Sequence, residues 1–250
     1  MKNTNIISIC LQKGGVGKST TAQSLSAYLG NEGKKVLLID LDSQQNVTYS
    51  SGSEPRKRTA SDVLGGQCAP DDAIVKLKYY DILPGDRYLA NDESAEVPPD
   101  LLKNGIAPCI GQYDFIVIDT PPALGNLLKN ALVASGFVII PIEVGAYSLQ
   151  GLDEFLHTFQ SIRGAANQGL KILGILLVKY HGRTILNRNL RDNILSYASN
   201  MGIDVFETFI RESVSVRESQ VLQKDLIDYS PRSNPALDYK KLTKEILRRF

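Results

Sequence analysis

Short, nearly continuous apolar runs rich in β-branched residues recur along the chain: Ile6–Leu11, Val36–Asp40, Tyr80–Leu83, Phe115–Asp119, Phe137–Ile142, Ile172–Val178 and Val205–Ile210. Few of them alternate apolar with polar residues, and this predicts strands covered on both faces. Between them, apolar residues at three- and four-residue spacing predict helices over Ser19–Leu29, Leu127–Ala134, Leu149–Ile162 and Leu190–Ala198. The order strand, helix, strand predicts an α/β fold, a doubly wound, mostly parallel sheet with right-handed crossovers and helices on both faces. The polar stretches Ser50–Arg58 and Asp86–Asp100 read as surface loops. No repeat or low-complexity linker divides residues 1–250, so one domain is expected. Near the end, Leu242, Ile246 and Leu247 recur at helical spacing among Lys240, Lys241, Lys244, Arg248 and Arg249. That pattern predicts a last helix over Tyr239–Phe250 packed on the sheet rather than lying on a membrane.

Composition narrows the classes. The chain has 250 residues, 43% hydrophobic and 22% charged, enough for one large core. Its longest apolar runs fall far short of the ~20 residues that cross a bilayer, and Ile6–Leu11 is too short for a signal peptide. Cys10, Cys68 and Cys109 are too far apart for a zinc knuckle, a redox pair or a disulfide framework, so packing roles in a reducing cytoplasm are expected. His157 and His181 lack partners at ligand spacing. The net charge of +1 hides an asymmetry: residues 1–170 hold 14 Lys and Arg against 18 Asp and Glu, whereas residues 171–250 hold 14 against 9. A basic last third is a candidate polyanion-binding face.

The strongest chemical signal follows the first expected strand: Gln12-Lys13-Gly14-Gly15-Val16-Gly17-Lys18-Ser19-Thr20, then a helix. Glycines let backbone amides approach phosphate oxygens, Lys18 brings charge to the outer phosphates, and the Ser19 hydroxyl suits Mg²⁺. Gly14, Gly15, Val16, Gly17, Lys18, Ser19 and Thr20 are therefore the expected nucleotide-binding residues, with ATP and Mg²⁺ as cofactors. The pattern GxxxxGK[ST] would place glycine at position 12 and would not require Lys13. The form here resembles the deviant Walker A motif of the ParA/Soj partition ATPases, in which Gln is usual at that place. Val36-Leu-Leu-Ile-Asp40-Leu-Asp42-Ser-Gln44 resembles that family's second motif, and Phe115-Ile-Val-Ile-Asp119-Thr-Pro-Pro122 resembles its Walker B strand. Weaker similarity extends through Leu83-Pro84-Gly85, Pro141 and the segment from Ile227 to Ala236, so it spans nearly the whole chain.

The resemblance implies roles. Asp119 would hold the Mg²⁺ shell with Ser19, Asp40 would support the same region, and Asp42 would orient the attacking water. Lys13 would reach across a dimer interface to the partner's nucleotide, so an ATP-dependent homodimer is implied. With the phosphate loop at residue 12, no preceding operator-reading domain is expected. The implied activity is hydrolysis of ATP to ADP and phosphate, in an ATP-bound dimer on non-specific double-stranded DNA. Release would follow hydrolysis stimulated by a ParB-like centromere-binding protein, in a cytoplasmic, nucleoid-associated setting without membrane contact. The expected DNA contacts are Arg183, Arg188, Arg191, Arg211, Arg217 and Lys224, with Lys179 beside them. Here the family's Ile-Pro-Arg-Asn-Val-Arg is replaced by Ile210-Arg-Glu-Ser-Val-Ser215, which leaves the base-reading residues unassigned. Three rivals differ in class. A MinD-like membrane-associated regulator needs an exposed amphipathic anchor, an iron-protein reductase needs cysteines flanking the Walker B strand, and a small-molecule biosynthetic member needs no DNA.

Overall fold

A computed structural model describes residues 4–53, 58–94, 97–145, 147–182 and 184–250. Seven strands form one sheet: β1 (Asn5–Ile9), β2 (Val36–Asp40), β3 (Val75–Lys76), β4 (Asp81–Leu83), β5 (Phe115–Asp119), β6 (Phe137–Glu143) and β7 (Lys171–Val178). Their order is β3-β4-β2-β5-β1-β6-β7, and every neighbouring pair is parallel except the β3–β4 hairpin at the edge.

The two-residue period of a strand sorts its side chains onto opposite faces. In β2, Val36 and Leu38 pack with Leu25, Leu29, Leu242 and Ile246 of the helices Lys18–Asn31 and Asn234–Leu247. Leu37 and Ile39 pack on the other face with Val63, Leu102, Ile106 and Leu127. On that second face of the β6–β7 half, Val138, Ile140, Ile142, Ile175 and Leu177 meet Phe155, Leu156 and Phe159 of helix Ser148–Ala165 and Ile194 and Ala198 of helix Ile185–Asn200. Continuous hydrophobicity along the strands is thus explained by helices on both sides.

The expected helices are all present and longer than the periodic apolar core that marks them: Lys18–Asn31, Asn126–Ala134, Ser148–Ala165 and Ile185–Asn200. The last helix of the chain begins at Asn234 instead of Tyr239, with Pro235 in a first turn where its missing N–H is harmless. Residues 205–210 depart from the expected strand. Val205 makes one isolated bridge to Ile175, and the amides of Phe206 and Ile210 donate to the Ile175 and Leu177 carbonyls (2.9 and 2.8 Å), but between them the amides of Glu207 and Thr208 turn to the Glu245 carboxylate (2.9 and 3.1 Å) and interrupt the ladder. The edge strand β3 has two residues and so no alternation to read. Inside the stretch expected as loop lies a helix, Leu89–Ser94, and short helices also form at Ala60–Leu64, Pro70–Ala73 and Leu101–Gly105.

Register then positions the chemistry. Asp119 lies opposite Ile9 of β1 on one side and Asp40 of β2 on the other, so both acidic strand ends stand level with the start of the phosphate loop. Helix Lys18–Asn31 passes very close to the chain leading into β4: a Cβ on Gly30 would lie 1.8 Å from the Tyr79 carbonyl oxygen. Gly30→Ala is expected to lower stability by about 3 kcal/mol, the upper end of overpacking costs, seen as a lower denaturant midpoint. An unchanged midpoint would show that the helix and the residue 79 segment separate freely.

Candidate active site

Residues 10–17 connect β1 to the helix Lys18–Asn31. Gly15 (φ 74°) and Gly17 (φ 78°) occupy the left-handed region, which residues with a Cβ rarely adopt. Gly17 caps the helix without a side-chain bond and no acid stands in the first turn, so the first-turn amides remain available to an anion. The Lys18 ammonium folds back to donate to the Lys13 carbonyl (2.9 Å) and is 6% exposed. Burial lowers its pKa, while the Asp119 and Asp42 carboxylates act in the opposite sense. Val16 is buried in the apolar core and offers its backbone alone.

Three carboxylates meet this loop in different states. Both oxygens of Asp119 are buried without a hydrogen bond. Burial first, then the neighbouring Asp40 charge, push its carboxyl well above the usual range; the Ser19 hydroxyl and Lys18 work against the shift. An orphaned acid facing a hydroxyl fits a divalent cation, which both groups can ligate, whereas the Lys18 ammonium, a donor only, suits a phosphate oxygen beside it. Asp40 is fully engaged: Oδ1 accepts from the Asp42 amide (3.0 Å), and Oδ2 accepts from the Thr48 amide (2.9 Å) and hydroxyl (2.7 Å). Burial nevertheless raises it to about 6. The Thr48 hydroxyl also accepts from the Gly85 amide (2.9 Å), and a Cβ on Gly85 would lie 2.9 Å from the Asp40 carbonyl oxygen. Asp40 therefore braces the turn that carries Asp42. Asp42, 5% exposed, accepts from the Gln44 amide (2.9 Å) and lines the cavity.

That cavity, about 780 Å³, is walled by Gly14, Gly15, Gly17, Lys18, Ser19 and Thr20 on one side and by Asp42, Gln44, Asn46 and Tyr49 on another. Opposite lies the chain from Ile210 through the helix Val214–Val221. Lys13 is absent from the lining, and its side chain has no partner among the described residues. Thr20 accepts from Gln220 (3.0 Å), which ties the phosphate-loop helix to this wall. Arg211 lines it too, its guanidinium forked onto Asp238 (Nε to Oδ2 2.9 Å, Nη2 to Oδ1 2.6 Å) and its amide on the same carboxylate (3.0 Å).

The chain is similar to known proteins over nearly its whole length. A family model described as an AAA domain matches residues 4–172. The sporulation initiation inhibitor protein Soj of Bacillus subtilis is 36% identical over 96% of this chain and 97% of its own length. The chromosome-partitioning ATPase Soj of Thermus thermophilus is 35% identical over 97% and 95%. The chain belongs to the ParA/Soj family. The fold is also close to that of cobyrinic acid a,c-diamide synthase from Mycobacterium smegmatis, solved with ADP and magnesium: TM-score 0.84 and 30% identity over 98% of this chain and 95% of that one.

Of the cations expected on DNA in this ParA/Soj chain, Arg183 lies outside the described residues. Arg211, an expected DNA contact, is paired with Asp238 (2.6 Å). Lys179 pairs with Glu143 (3.2 Å), Arg191 pairs with Asp192 (3.3 Å), and Arg188 reaches the Gly182 carbonyl (3.4 Å). Arg217 lines the cavity and Lys224 lies near the Asp228 carboxylate. Helix Ile185–Asn200 packs on one face of the sheet, whereas Val216 and Leu226, which flank Arg217 and Lys224, pack on the other; the His181–Glu212 contact joins the two sides, with Arg188 on the Gly182 carbonyl and the charges of Lys179 and Arg217 acting on Glu212. Thr48, Gln220 and the Arg211–Asp238 fork carry no motif spacing, because each joins segments far apart in sequence. His181, expected to lack a partner, sits 3.0 Å from Glu212 at the cavity wall.

Two outcomes follow for the ligand-free protein. Asp119→Asn removes a buried unpaired charge and is expected to raise stability by about 1–3 kcal/mol at pH 8. Because the folded carboxyl titrates above its unfolded value, its stabilising protonated form is lost as pH rises, so the gain shrinks towards acid pH. Thermal unfolding across pH reads both. Arg211→Ala leaves Asp238 buried and unpaired and is expected to cost about 3 kcal/mol, with Arg211→Ala/Asp238→Ala recovering part of it. Additivity in that cycle would show that the fork contributes nothing.

Proposed function

We propose that this chain is a partition ATPase whose ATP-bound homodimer holds double-stranded DNA non-specifically. A ParB-like centromere-binding partner stimulates hydrolysis and so releases it. The observation that carries the reading is the buried Asp119 carboxylate, without a hydrogen bond among the described residues, near Lys18 and Ser19, which with Asp42 line the cavity. Asp119 and the Ser19 hydroxyl would hold Mg²⁺, which when bound neutralises charge on the phosphates.

The chain's own groups do the rest. The amides of residues 14–20 and the Lys18 ammonium grip the phosphates, and Asp42, its carboxylate fixed by the Gln44 amide, orients the attacking water. A phosphoryl transfer with a loose transition state needs position and charge more than a strong base. Asp40 acts on the same region through the Asp42–Thr48 turn. Lys13, outside its own cavity's lining and unpartnered among the described residues, suits contact with the nucleotide of a second copy. Such a lysine makes association depend on ATP, and a dimer strengthens an otherwise weak phosphate-backbone affinity. We place the protein on the nucleoid in the cytoplasm; among the described residues no helix is long and apolar enough to cross a membrane.

The likeness to a cobyrinic acid a,c-diamide synthase supports a second reading, a biosynthetic ATPase, which would respond to a small-molecule substrate and ignore DNA. The test is binding of a random-sequence duplex at two salt concentrations without nucleotide, with ADP and with ATP. Salt-sensitive binding is expected with ATP alone, retained without turnover in Asp42→Ala and lost in Lys18→Ala. Indifference to DNA in every state would sink the partition reading and leave the biosynthetic one.

A further inference from the structure

Polar side chains near the start of the helix Lys18–Asn31 reach across to the C-terminal segment at Thr20, Thr21 and Gln23. The Thr21 hydroxyl lies 3.0 Å from that of Tyr239, Gln23 Nε2 donates to Asp225 (3.0 Å), and Gln220 Nε2 donates to Thr20 Oγ1 (3.0 Å). Neither Thr21 nor Gln23 lines the nucleotide cavity, and their bonds already fasten the helix to the segment beyond residue 220. The third bond stands elsewhere: Thr20 and Gln220 both line the cavity. Gln220 belongs to the helix Val214–Val221, one turn after Val216. Residues four apart share a helix face, and Val216 packs against the core cluster that holds Leu25 and Leu29 of the phosphate-loop helix. The Gln220 amide is thereby carried to the first turn of that helix.

A hydroxyl has one proton and two lone pairs. In accepting from Gln220, Thr20 Oγ1 commits a lone pair and keeps its proton for another acceptor. Ser26, further along the same helix, spends its proton on the Ala22 carbonyl (2.8 Å), a common sink for a helical hydroxyl. The Thr20 proton has no acceptor among the described residues. Its neighbours on the cavity wall, the first-turn N–H groups and the Lys18 ammonium, are themselves donors. A proton held among donors is completed by an anionic acceptor, and a phosphate oxygen is the one the cavity is built to receive.

We propose that Gln220 is a positioning residue for the nucleotide: it holds the Thr20 hydroxyl by a lone pair and so aims the hydroxyl proton at a phosphate oxygen. This role rests on the nucleotide-binding part of the reading above and needs neither DNA nor a second copy. The direction of the bond is what matters. Glutamine donates to Thr20, whereas glutamate, of almost the same shape, only accepts; it would keep the link but take the proton that the phosphate needs.

The experiment measures the affinity of the full chain for ADP with Mg²⁺ by calorimetric titration. Gln220→Met leaves the hydroxyl free to rotate and is expected to weaken binding about threefold, and Gln220→Glu about tenfold. Thr20→Val removes the proton and is expected to cost about as much as Gln220→Glu. In the Thr20→Val background there is no proton left to aim or capture, so adding Gln220→Met or Gln220→Glu should weaken binding no further. Wild-type affinity in Gln220→Glu overturns the role, because the bond then only fastens two helices. A glutamate penalty that persists undiminished in Thr20→Val/Gln220→Glu also overturns it, since repulsion by the added carboxylate then accounts for the loss. Should Gln220→Glu fail to fold, Gln220→Met decides: a loss of the same size with and without Thr20→Val overturns the role. In each of these cases ADP binding by wild type leaves the ATPase reading standing. Wild type that binds neither ADP nor ATP overturns both.

Discussion

The Asp119 carboxylate sits at the end of the central strand with both oxygens buried and no hydrogen bond, one strand away from the Asp40 carboxylate. Left in water either acid would cost nothing, but inside the fold burial resists ionisation of both, and the Asp40 charge adds to the resistance at Asp119. A chain can hold such a pair only if the surrounding core supplies the stability that the pair removes. The apolar layers on both faces of the sheet do this, and the strands that carry the acids are themselves buried end to end. The same geometry that weakens the ligand-free protein leaves a strong site for a cation and a phosphate chain beside Lys18, so binding and stability are linked.

Asp40 and Asp119 start from similar positions and end with opposite duties. One commits its lone pairs to the Asp42 amide and to Thr48; the other commits none. Through Thr48 the brace reaches the short helix Asn46–Ser50, where Ser50 donates to Gln23 (2.7 Å). Gln23 in turn donates to Asp225 (3.0 Å), which also accepts from Tyr80 (3.0 Å). Contiguous hydrogen bonds thus join the turn carrying Asp42 to the segment that follows the cavity wall at residues 210–221.

Charge tells a related story. The basic last third reads as one patch in sequence, but folding scatters it: Arg211 goes to Asp238, Lys179 to Glu143 and Arg191 to Asp192. Among the described residues Lys240, Lys241, Lys244 and Arg248 keep no such partner, on a helix whose acids Asp238 and Glu245 are drawn to Arg211 and to the amides of Glu207 and Thr208.

The sequence by itself determined the doubly wound sheet, the phosphate loop and the level of the strand-end acids, because these depend on short continuous apolar runs and on contiguous residues at a strand–helix junction. It marked residues 205–210 as a strand, since β-branched and aromatic residues there match the pattern, and Phe206 and Ile210 do pair with β7, yet the amides of Glu207 and Thr208 between them found Glu245, far along the chain. Only the tertiary structure decided which of two neighbouring acids is braced and which is bare, which arginine is neutralised, and which face of the last helix is free. The arginine met a partner 27 residues away, and although the donors that brace Asp40 come from Asp42 and Thr48 close by in sequence, only the folded turn aims them at that carboxylate.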